Sequence, residues 1–260
     1  MGTVLAVVNQ KGGVGKTTTA VSVSASIAEL GWRVLLVDLD PQGHATSGLG
    51  MQHAAAGSAR TVYDVLIEET PVEEALVRTA VAGLDLVRAN IDLAGAELEL
   101  IGRISRETCL ARALAEVRDA YDFVLIDCPP ALGLLTVNGL AAADRAIIPI
   151  QCEYYALEGV SQLLRTIELV RRRLNPALEI GLVVLTMYDP RAKLAQQVAS
   201  DVRANFGDRV AETVVPRNVR LSESPSHGLP ITLYDARSRG ARAYRLIAQE
   251  VIDREQARAR

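Results

Sequence analysis

The stretch that decides the fold is NQKGGVGKTT, residues 9–18, which follows directly on the apolar run VLAVV. It nearly fits the phosphate-binding loop G-x-x-x-x-G-K-[ST], and its GKT matches the last three positions of that pattern. Gln10 stands where the pattern has its first glycine, and a second lysine, Lys11, comes next. Because an apolar strand precedes the loop and a helical pattern follows it, the sequence predicts a phosphate site between a strand and a helix.

The loop has the residue types that phosphate binding requires. Its glycines let backbone N–H groups turn toward phosphate oxygens, and the N-terminus of the following helix adds partial positive charge. Lys16 would reach the β- and γ-phosphates, and Thr17 would offer its hydroxyl to Mg²⁺. A glycine-rich turn that binds nothing is disfavoured, because the glycine spacing, the lysine and the threonine occur together. The residues predicted to contact the phosphates are Gly12, Gly13, Val14, Gly15, Lys16, Thr17 and Thr18.

Composition narrows the class of protein. Of 260 residues, 49% are hydrophobic but only 4% aromatic, so small aliphatic side chains must fill the core, as in a parallel sheet covered on both faces. A net charge of −3 excludes a uniformly basic nucleic-acid binder and leaves room for a local basic face. Among 28 lysines and arginines, only Lys11, Lys16 and Lys193 are lysines. Two of the three lie in one short loop, which random solvation of a surface does not explain.

Strand and helix patterns alternate along the chain. A helical stretch, TTTAVSVSASIAEL, ends at Gly31, and the longest one, ALEGVSQLLRTIELVRRRL, ends at Asn175-Pro176. This alternation predicts a single doubly wound α/β domain over residues 1–260, with a mostly parallel sheet, helices on both faces and no N-terminal helix-turn-helix module. The runs predicted as strands are TVLAVV, RVLLVD, LDLVRA, DFVLID, RAIIPI, IGLVVLT and VAETVV.

Acidic residues follow two of these strands. RVLLVDLDPQG ends a strand at Asp38 and places Asp40 two residues later, and DFVLIDCPP ends another at Asp127. Ligand sites in open α/β sheets lie outside the carboxyl ends of the strands, so these acids are candidates for the metal and the attacking water. Taken singly, each acid could instead cap a helix or lie in a loop.

Four segments together resemble the deviant Walker A ATPases of the ParA/MinD superfamily: KGGVGKTT, VLLVDLDPQGHATSGLG, YDFVLIDCPP and VPRNVRLSESPSHGLPI. The likeness spans nearly the whole chain and is greatest to the small chromosomal ParA proteins of the Soj type. It implies that Lys11 is the signature lysine, which reaches across an ATP-sandwich homodimer to the phosphates of the other subunit. It also implies that Asp40 acts on the attacking water, that Asp127 is the Walker B acid and that Asp38 lines the switch beside the metal.

The base is predicted to be adenine. GTPases of related architecture read guanine with N-K-x-D after a strand, whereas the corresponding stretch here, residues 186–189, is TMYD. The resemblance implies that Pro216 and Asn218, in the segment PRN, contact the adenine. Asn218 could instead be a simple turn residue.

The resemblance further implies non-specific binding of double-stranded DNA by the ATP-bound dimer, and a ParB/Spo0J-like partner that stimulates hydrolysis. Arg191 and Arg220 are the candidate DNA contacts, since such phosphate contacts give salt-dependent, sequence-independent affinity. Lys193, Arg203 and Arg217 would lie nearby. Scattered arginines are more commonly a solvated face. The expected location is the cytoplasm, in association with the nucleoid.

Three alternatives remain at this point. A MinD-like membrane ATPase needs a bulky apolar C-terminal helix, but the chain beyond Ile252 reads DREQARAR, so no membrane partner is expected. An iron-protein-like reductase needs paired cysteines, whereas Cys109, Cys128 and Cys152 are far apart and are expected to be buried, reduced thiols. Relatives that position plasmids, chemoreceptor arrays or microcompartments would share the mechanism and differ in cargo; the motifs favour the chromosome.

Overall fold

The computed structural model describes residues 2–52, 60–153 and 156–258. Within these ranges the strands form one seven-stranded sheet in the order β3-β4-β2-β5-β1-β6-β7. All neighbours pair in parallel except the edge pair β3–β4, which is antiparallel. The strands are β1 (Thr3–Val7), β2 (Val34–Asp38), β3 (Leu76–Arg78), β4 (Leu84–Val87), β5 (Phe123–Asp127), β6 (Arg145–Gln151) and β7 (Glu179–Thr186).

Strand register positions the candidate site. Strand β5 lies between β2 and β1, with Asp38 directly opposite Asp127 and Val7 also opposite Asp127. The strands run in parallel, so the loops that follow β1, β2 and β5 leave the sheet at the same edge. The phosphate loop and all three candidate acids therefore meet at the carboxyl ends of three adjacent strands.

Side chains of the central strands alternate between two apolar layers, as the period of two in a strand requires. Val4 and Ala6 pack with the helices between residues 62 and 206, whereas Leu5 and Val7 pack with the first helix of the chain and with the helices between residues 231 and 258. The doubly wound fold predicted from the sequence is confirmed. The helices are α1 (Lys16–Glu29), α2 (His44–Gly48), α3 (Val62–Ile67), α4 (Val72–Ala75), α5 (Leu93–Leu100), α6 (Cys109–Val117), α7 (Leu134–Ala142), α8 (Ala156–Arg173), α9 (Lys193–Phe206), α10 (Val219–Glu223), α11 (Ile231–Tyr234) and α12 (Arg239–Arg258).

The strand prediction for VAETVV, residues 210–215, was wrong. This segment runs beside β7 and makes only isolated bridges, from Val210 and from Pro216 just beyond it. Two of its backbone N–H groups, those of Glu212 and Thr213, donate to the Glu250 carboxylate of α12 at 2.9 and 3.0 Å. Because that carboxylate takes the Thr213 N–H, which a regular ladder with β7 would use, no regular strand forms. The short edge strand β3 was not predicted.

Cys109, Cys128 and Cys152 are buried and free, as predicted. Within the described ranges, no helix is both long and apolar enough to cross a membrane. Helix α12 buries one side, including Ala241, Tyr244 and Ile247, in the layer that it shares with α1.

Candidate nucleotide-binding site

The loop between β1 and α1 has the backbone shape of a phosphate cradle. Gly13 and Gly15 adopt positive φ angles of 73° and 90°, a region that side chains disfavour, and α1 begins immediately afterwards at Lys16. The hydroxyl of Thr186, at the end of β7, donates to the carbonyl of Val14 at 2.8 Å. The loop is thus fixed at its centre, and the helix N-terminus faces the cavity described below.

Lys16 lies within the loop. Its side chain is buried, and Nζ donates to the carbonyl oxygen of Lys11 at 3.2 Å. Burial lowers the pKa of Lys16, and the nearby carboxylates of Asp127 and Asp40 oppose that effect. These carboxylates offset only part of the cost of burying the ammonium group, so the site favours an anionic ligand. The terminal phosphates of a nucleotide would supply that negative charge.

Asn9 shapes the start of the loop and was not identified from the sequence. Its side-chain amide donates to the carbonyl of Pro149 on β6 at 2.6 Å, and its carbonyl oxygen accepts from the backbone N–H of Lys11 at 3.0 Å. This pair of bonds joins the loop to the neighbouring strand. A polar residue directly after a buried apolar strand is the signal that could have indicated it.

Lys11 takes a different direction from Lys16. Its side chain is 35% exposed, and Nζ lies 4.0 Å from the carboxylate of Glu153. Glu153 also pairs with Arg217 at 3.3 Å. Lys11 does not line the cavity that Lys16 and the glycines of the loop line. The two lysines of the loop are therefore separated in space as well as in burial.

The buried carboxylate of Asp127 has few groups around it that stabilise its negative charge. It is fully buried, and among the described residues neither carboxylate oxygen receives a hydrogen bond of ordinary geometry. Burial and the neighbouring Asp38 raise the pKa of Asp127 well above its usual value, while the Thr17 hydroxyl and Lys16 favour the charged form. A buried carboxylate without donors, next to a hydroxyl and a phosphate loop, fits Mg²⁺, which typically takes one or two protein oxygens along with phosphates and water.

Asp38, by contrast, is fully bonded within the protein. One oxygen accepts from both the backbone N–H and the hydroxyl of Thr46 at 2.7 Å, and the other accepts from the backbone N–H of Asp40 at 3.3 Å. Burial raises the pKa of Asp38 to about 6, although the bonds from Thr46 lower it. The Thr46 hydroxyl in turn accepts from the backbone N–H of Ala89 at 3.0 Å. Asp38 therefore orders the segment that carries Asp40. Thr46 lies within the motif VLLVDLDPQGHATSGLG, but its role was not predicted from the sequence.

Asp40 lies at the same cavity as the phosphate loop. It lines the cavity together with the loop, and one carboxylate oxygen accepts from the backbone N–H of Gln42 at 3.0 Å. The backbone N–H of Gly43 donates to the Asp40 carbonyl at 2.9 Å. These two bonds close a tight turn and leave one carboxylate oxygen without a hydrogen bond from the described residues.

Two adjoining cavities extend from the loop. The larger, of about 500 Å³, holds the phosphate-loop residues, Asp40 and, on its far side, apolar residues of the 225–231 segment. The smaller, of about 350 Å³, is lined by Pro216, Asn218 and Met187, among others. Met187 borders both cavities and has a positive φ of 52°, which is uncommon for a residue with a side chain. A phosphate-binding loop beside a second cavity with apolar and hydrogen-bonding residues is the arrangement that a nucleotide requires.

Asn218 has a structural function in addition to its predicted one. Its side-chain oxygen accepts from the backbone N–H of Arg220 at 2.9 Å and so caps α10. Its amide N–H₂ group stays available for a ligand in the smaller cavity, because the cap uses only the oxygen.

Two glycines from distant parts of the chain touch beside the larger cavity. Gly50 ends the segment after α2, and Gly228 ends the turn before α11; both have positive φ. A Cβ atom built on Gly228 would lie 2.7 Å from the Cα of Gly50. The backbone segment that follows Asp40 and the C-terminal segment that follows α10 are thus in direct contact.

The candidate DNA residues lie outside these cavities. Arg191 is exposed just before α9, and Arg220 is exposed on α10. Arg220 pairs with Glu223 at 2.8 Å and with Asp235 at 3.6 Å. Both candidate arginines are thus exposed, and Arg220 already has acidic partners.

Comparison with known proteins agrees with this geometry. The AAA domain family matches residues 2–180. The sporulation initiation inhibitor protein Soj of Bacillus subtilis is 56% identical, with 96% of this chain and 98% of that protein covered. The chromosome-partitioning ATPase Soj of Treponema pallidum is 52% identical over 98% of this chain and 99% of that protein.

A solved structure has the same fold, although its name differs from those of the Soj relatives. The structure named cobyrinic acid a,c-diamide synthase from Mycobacterium smegmatis, with bound ADP and magnesium, superimposes with a TM-score of 0.85. It is 44% identical, and the alignment covers 98% of this chain and 96% of that one. The sheet, the phosphate loop and these likenesses agree: the chain belongs to the Soj/ParA family of P-loop ATPases.

Proposed function

We propose that the protein hydrolyses ATP as a sandwich dimer, in which each subunit contributes Lys11 to the nucleotide of the other. The observation that carries this proposal is the separation of the two lysines. Lys16 is buried at its own loop, whereas Lys11 is partly exposed and directed away from the cavity toward Glu153. A lysine that reaches a second subunit must start from such a position, and there it would supply charge to the transferring phosphoryl group.

The positions of the side chains support a role for each residue within its own subunit. Asp127 and Thr17 hold Mg²⁺, which neutralises charge on the β- and γ-phosphates. Asp40, with a carboxylate oxygen left over at the cavity, orients or deprotonates the attacking water. Asp38 keeps that segment in place through Thr46. Pro216 and Asn218 contact the adenine in the smaller cavity.

The ATP-bound dimer binds double-stranded DNA without sequence preference, and a ParB-like partner stimulates hydrolysis, which ends the dimer. Arg191 and Arg220 contact DNA phosphates. In the dimer, the surfaces of both subunits that carry these arginines come together. The biological role is segregation of the chromosomal origin region, with the dimer on the nucleoid. The names of the 52–56% identical relatives concern Soj, which supports the chromosome rather than a plasmid or another cargo.

The test is Lys11→Ala, with Lys193→Ala as the matched control, because Lys193 is the one lysine outside the loop. We expect Lys11→Ala to bind ATP and to remain a monomer by light scattering, since its contact is made only across the dimer. Lys193→Ala should dimerise as the wild type does. A Lys11→Ala protein that dimerises normally with ATP would refute the role in trans.

A further inference from the structure

An apolar stripe lies on the outer side of α5 and the turns at its ends. Ile91, Leu98, Ile101 and Ile104 are 68%, 74%, 56% and 92% exposed, respectively. Leu93, Ala96 and Leu100 of the same helix are buried, so its inner side already packs on the core. Large apolar residues that cluster in this way on a surface mark a binding site more often than isolated ones do.

The spacing of the stripe is that of a helix-binding seam. Ile91, Ala94, Leu98 and Ile101 follow one another at intervals of three, four and three residues, the a/d spacing of a heptad. Gly95 and Gly102 lie beside the seam, and nothing lies within 4 Å of a Cβ atom built at Gly102. Such small residues allow another helix to approach the backbone closely.

Acidic side chains lie on the same side of the seam as the two glycines, one row further around the helix. Asp92 and Glu99 occupy equivalent heptad positions, next to Ile91 and Leu98, respectively. Asp92 accepts from the Asn90 amide at 2.7 Å and Glu99 from the Tyr63 hydroxyl at 3.0 Å. In the parts of the chain that the structure describes, neither forms an ion pair within 4 Å. The flank is therefore negative, and a complementary partner carries lysine or arginine.

The inner side of α5 reaches the loop that follows Asp127. An oxygen of Glu97 accepts from the backbone N–H of Leu135 in the first turn of α7, at 3.3 Å. The same carboxylate occupies the space that a side chain at Gly133 would need. A shift of α5 would therefore displace the loop between Asp127 and α7.

We propose that this seam binds a basic amphipathic helix of a partner protein, with apolar residues in the a/d seam and lysine or arginine facing Asp92 and Glu99. Binding there acts on the Asp127 loop through Glu97 and so accelerates hydrolysis. The effect on hydrolysis rests on the proposed function; the docking itself does not.

The direct test uses two labelled peptides of three heptads, both with leucine at the a and d positions. One has lysine at the flanking positions and the other has glutamate there. We expect the wild-type protein to bind the lysine peptide at least tenfold more tightly in fluorescence anisotropy. Leu98→Asp should weaken that binding at least tenfold, and Asp92→Asn with Glu99→Gln should reduce its salt dependence. Leu246→Asp is the matched control, since Leu246 is 58% exposed on α12, and should change nothing.

Several outcomes overturn the docking proposal. These are binding of neither peptide, equal binding of both, and unchanged binding by Leu98→Asp. Another is a nucleotide-free wild type that dimerises in light scattering while Leu98→Asp stays monomeric, because the seam would then belong to a second copy of this chain.

The effect on hydrolysis is measured separately with the ParB-like partner. Leu98→Asp should keep the basal rate and lose the stimulation. If the wild type is not stimulated, the proposed function fails while the peptide result still decides the docking site. If the wild type and Leu98→Asp are stimulated equally, the proposed link from the seam to the Asp127 loop is wrong.

Discussion

Thr46→Val tests whether Asp38 orders the segment that carries Asp40. Valine matches threonine in shape and keeps the backbone N–H bond to Asp38, so the change removes only what the hydroxyl does. That hydroxyl donates to the buried Asp38 carboxylate at 2.7 Å and accepts from the N–H of Ala89 at 3.0 Å. All three groups are buried, so water does not readily replace either bond.

The expected loss follows from these two bonds. A hydrogen bond to a charged group contributes about 1.5–3 kcal/mol, and a buried N–H left without an acceptor costs about 1–3 kcal/mol. Asp38 keeps its bonds from the N–H groups of Thr46 and Asp40, which reduce the cost of losing the bond from the Thr46 hydroxyl. We therefore expect a decrease of about 3 kcal/mol in the free energy of unfolding, or about 6–12 °C in Tm for a chain of this size.

The measurement is urea unfolding without nucleotide, with thermal unfolding as a second method. Thr166→Val is the matched control, because the Thr166 hydroxyl, in the part of the chain that the structure describes, bonds only to the carbonyl of Gln162 in its own helix, at 3.3 Å. That variant should stay within about 0.5 kcal/mol of the wild type. A Thr46→Val protein that loses less than about 1 kcal/mol would show that the hydroxyl does not hold this segment.

Four further predictions follow from the site and the surface. Lys16→Ala should abolish ATP binding in calorimetry, since the loop loses its own buried ammonium; affinity within a few-fold of wild type would contradict the assignment. Asp40→Ala should slow hydrolysis by about 10²–10⁴-fold and accumulate as an ATP-bound dimer on DNA, whereas a near-normal rate would remove it from the mechanism. Arg191→Glu should leave that dimer intact, weaken binding to any duplex and flatten the log–log salt slope by roughly 0.9 per lost phosphate contact; unchanged DNA retention would mean that the surface is wrong. Gly228→Ala should lower stability by about 2 kcal/mol in urea unfolding, and by more than Gly31→Ala, which shares a positive φ but has open space around it; equal losses would leave only the backbone conformation as the cause.

Much of the fold was predictable because the strands are buried on both faces. Six of the seven runs predicted as strands are strands, since continuous aliphatic runs between helical patterns have few other structures open to them. VAETVV is also rich in aliphatic residues, but two of its N–H groups bond to Glu250, a residue of the last helix. A hydrogen bond to a distant side chain leaves no periodic signal in the sequence. Strand β3, with three residues, is too short for alternation to show.

The site was predictable in its parts and less so in its arrangement. The spacing of the phosphate loop identified Lys16 and Thr17, and the ends of two strands identified Asp38 and Asp127. The sequence did not show that Asp38 and Asp127 differ in the hydrogen bonds that they accept. Asp38 has three donors, whereas neither oxygen of Asp127 has one among the described residues. That difference depends on strand register and on the fold of the segment after β2, which no local pattern encodes.

The contact between Gly50 and Gly228 also limits how this chain can vary. A Cβ atom at Gly228 would lie 2.7 Å from the Cα of Gly50, and one at Gly50 would lie 3.0 Å from the carbonyl oxygen of Gly228. Both positions also have positive φ, so a side chain at either one requires the other segment to shift. A lineage that gained a side chain at one of them would have to remodel the other segment as well. The pair is therefore a test for grouping sequences: a relative with glycine at both positions keeps this packing of the Asp40 segment on the C-terminal segment, and a relative with only one has replaced it.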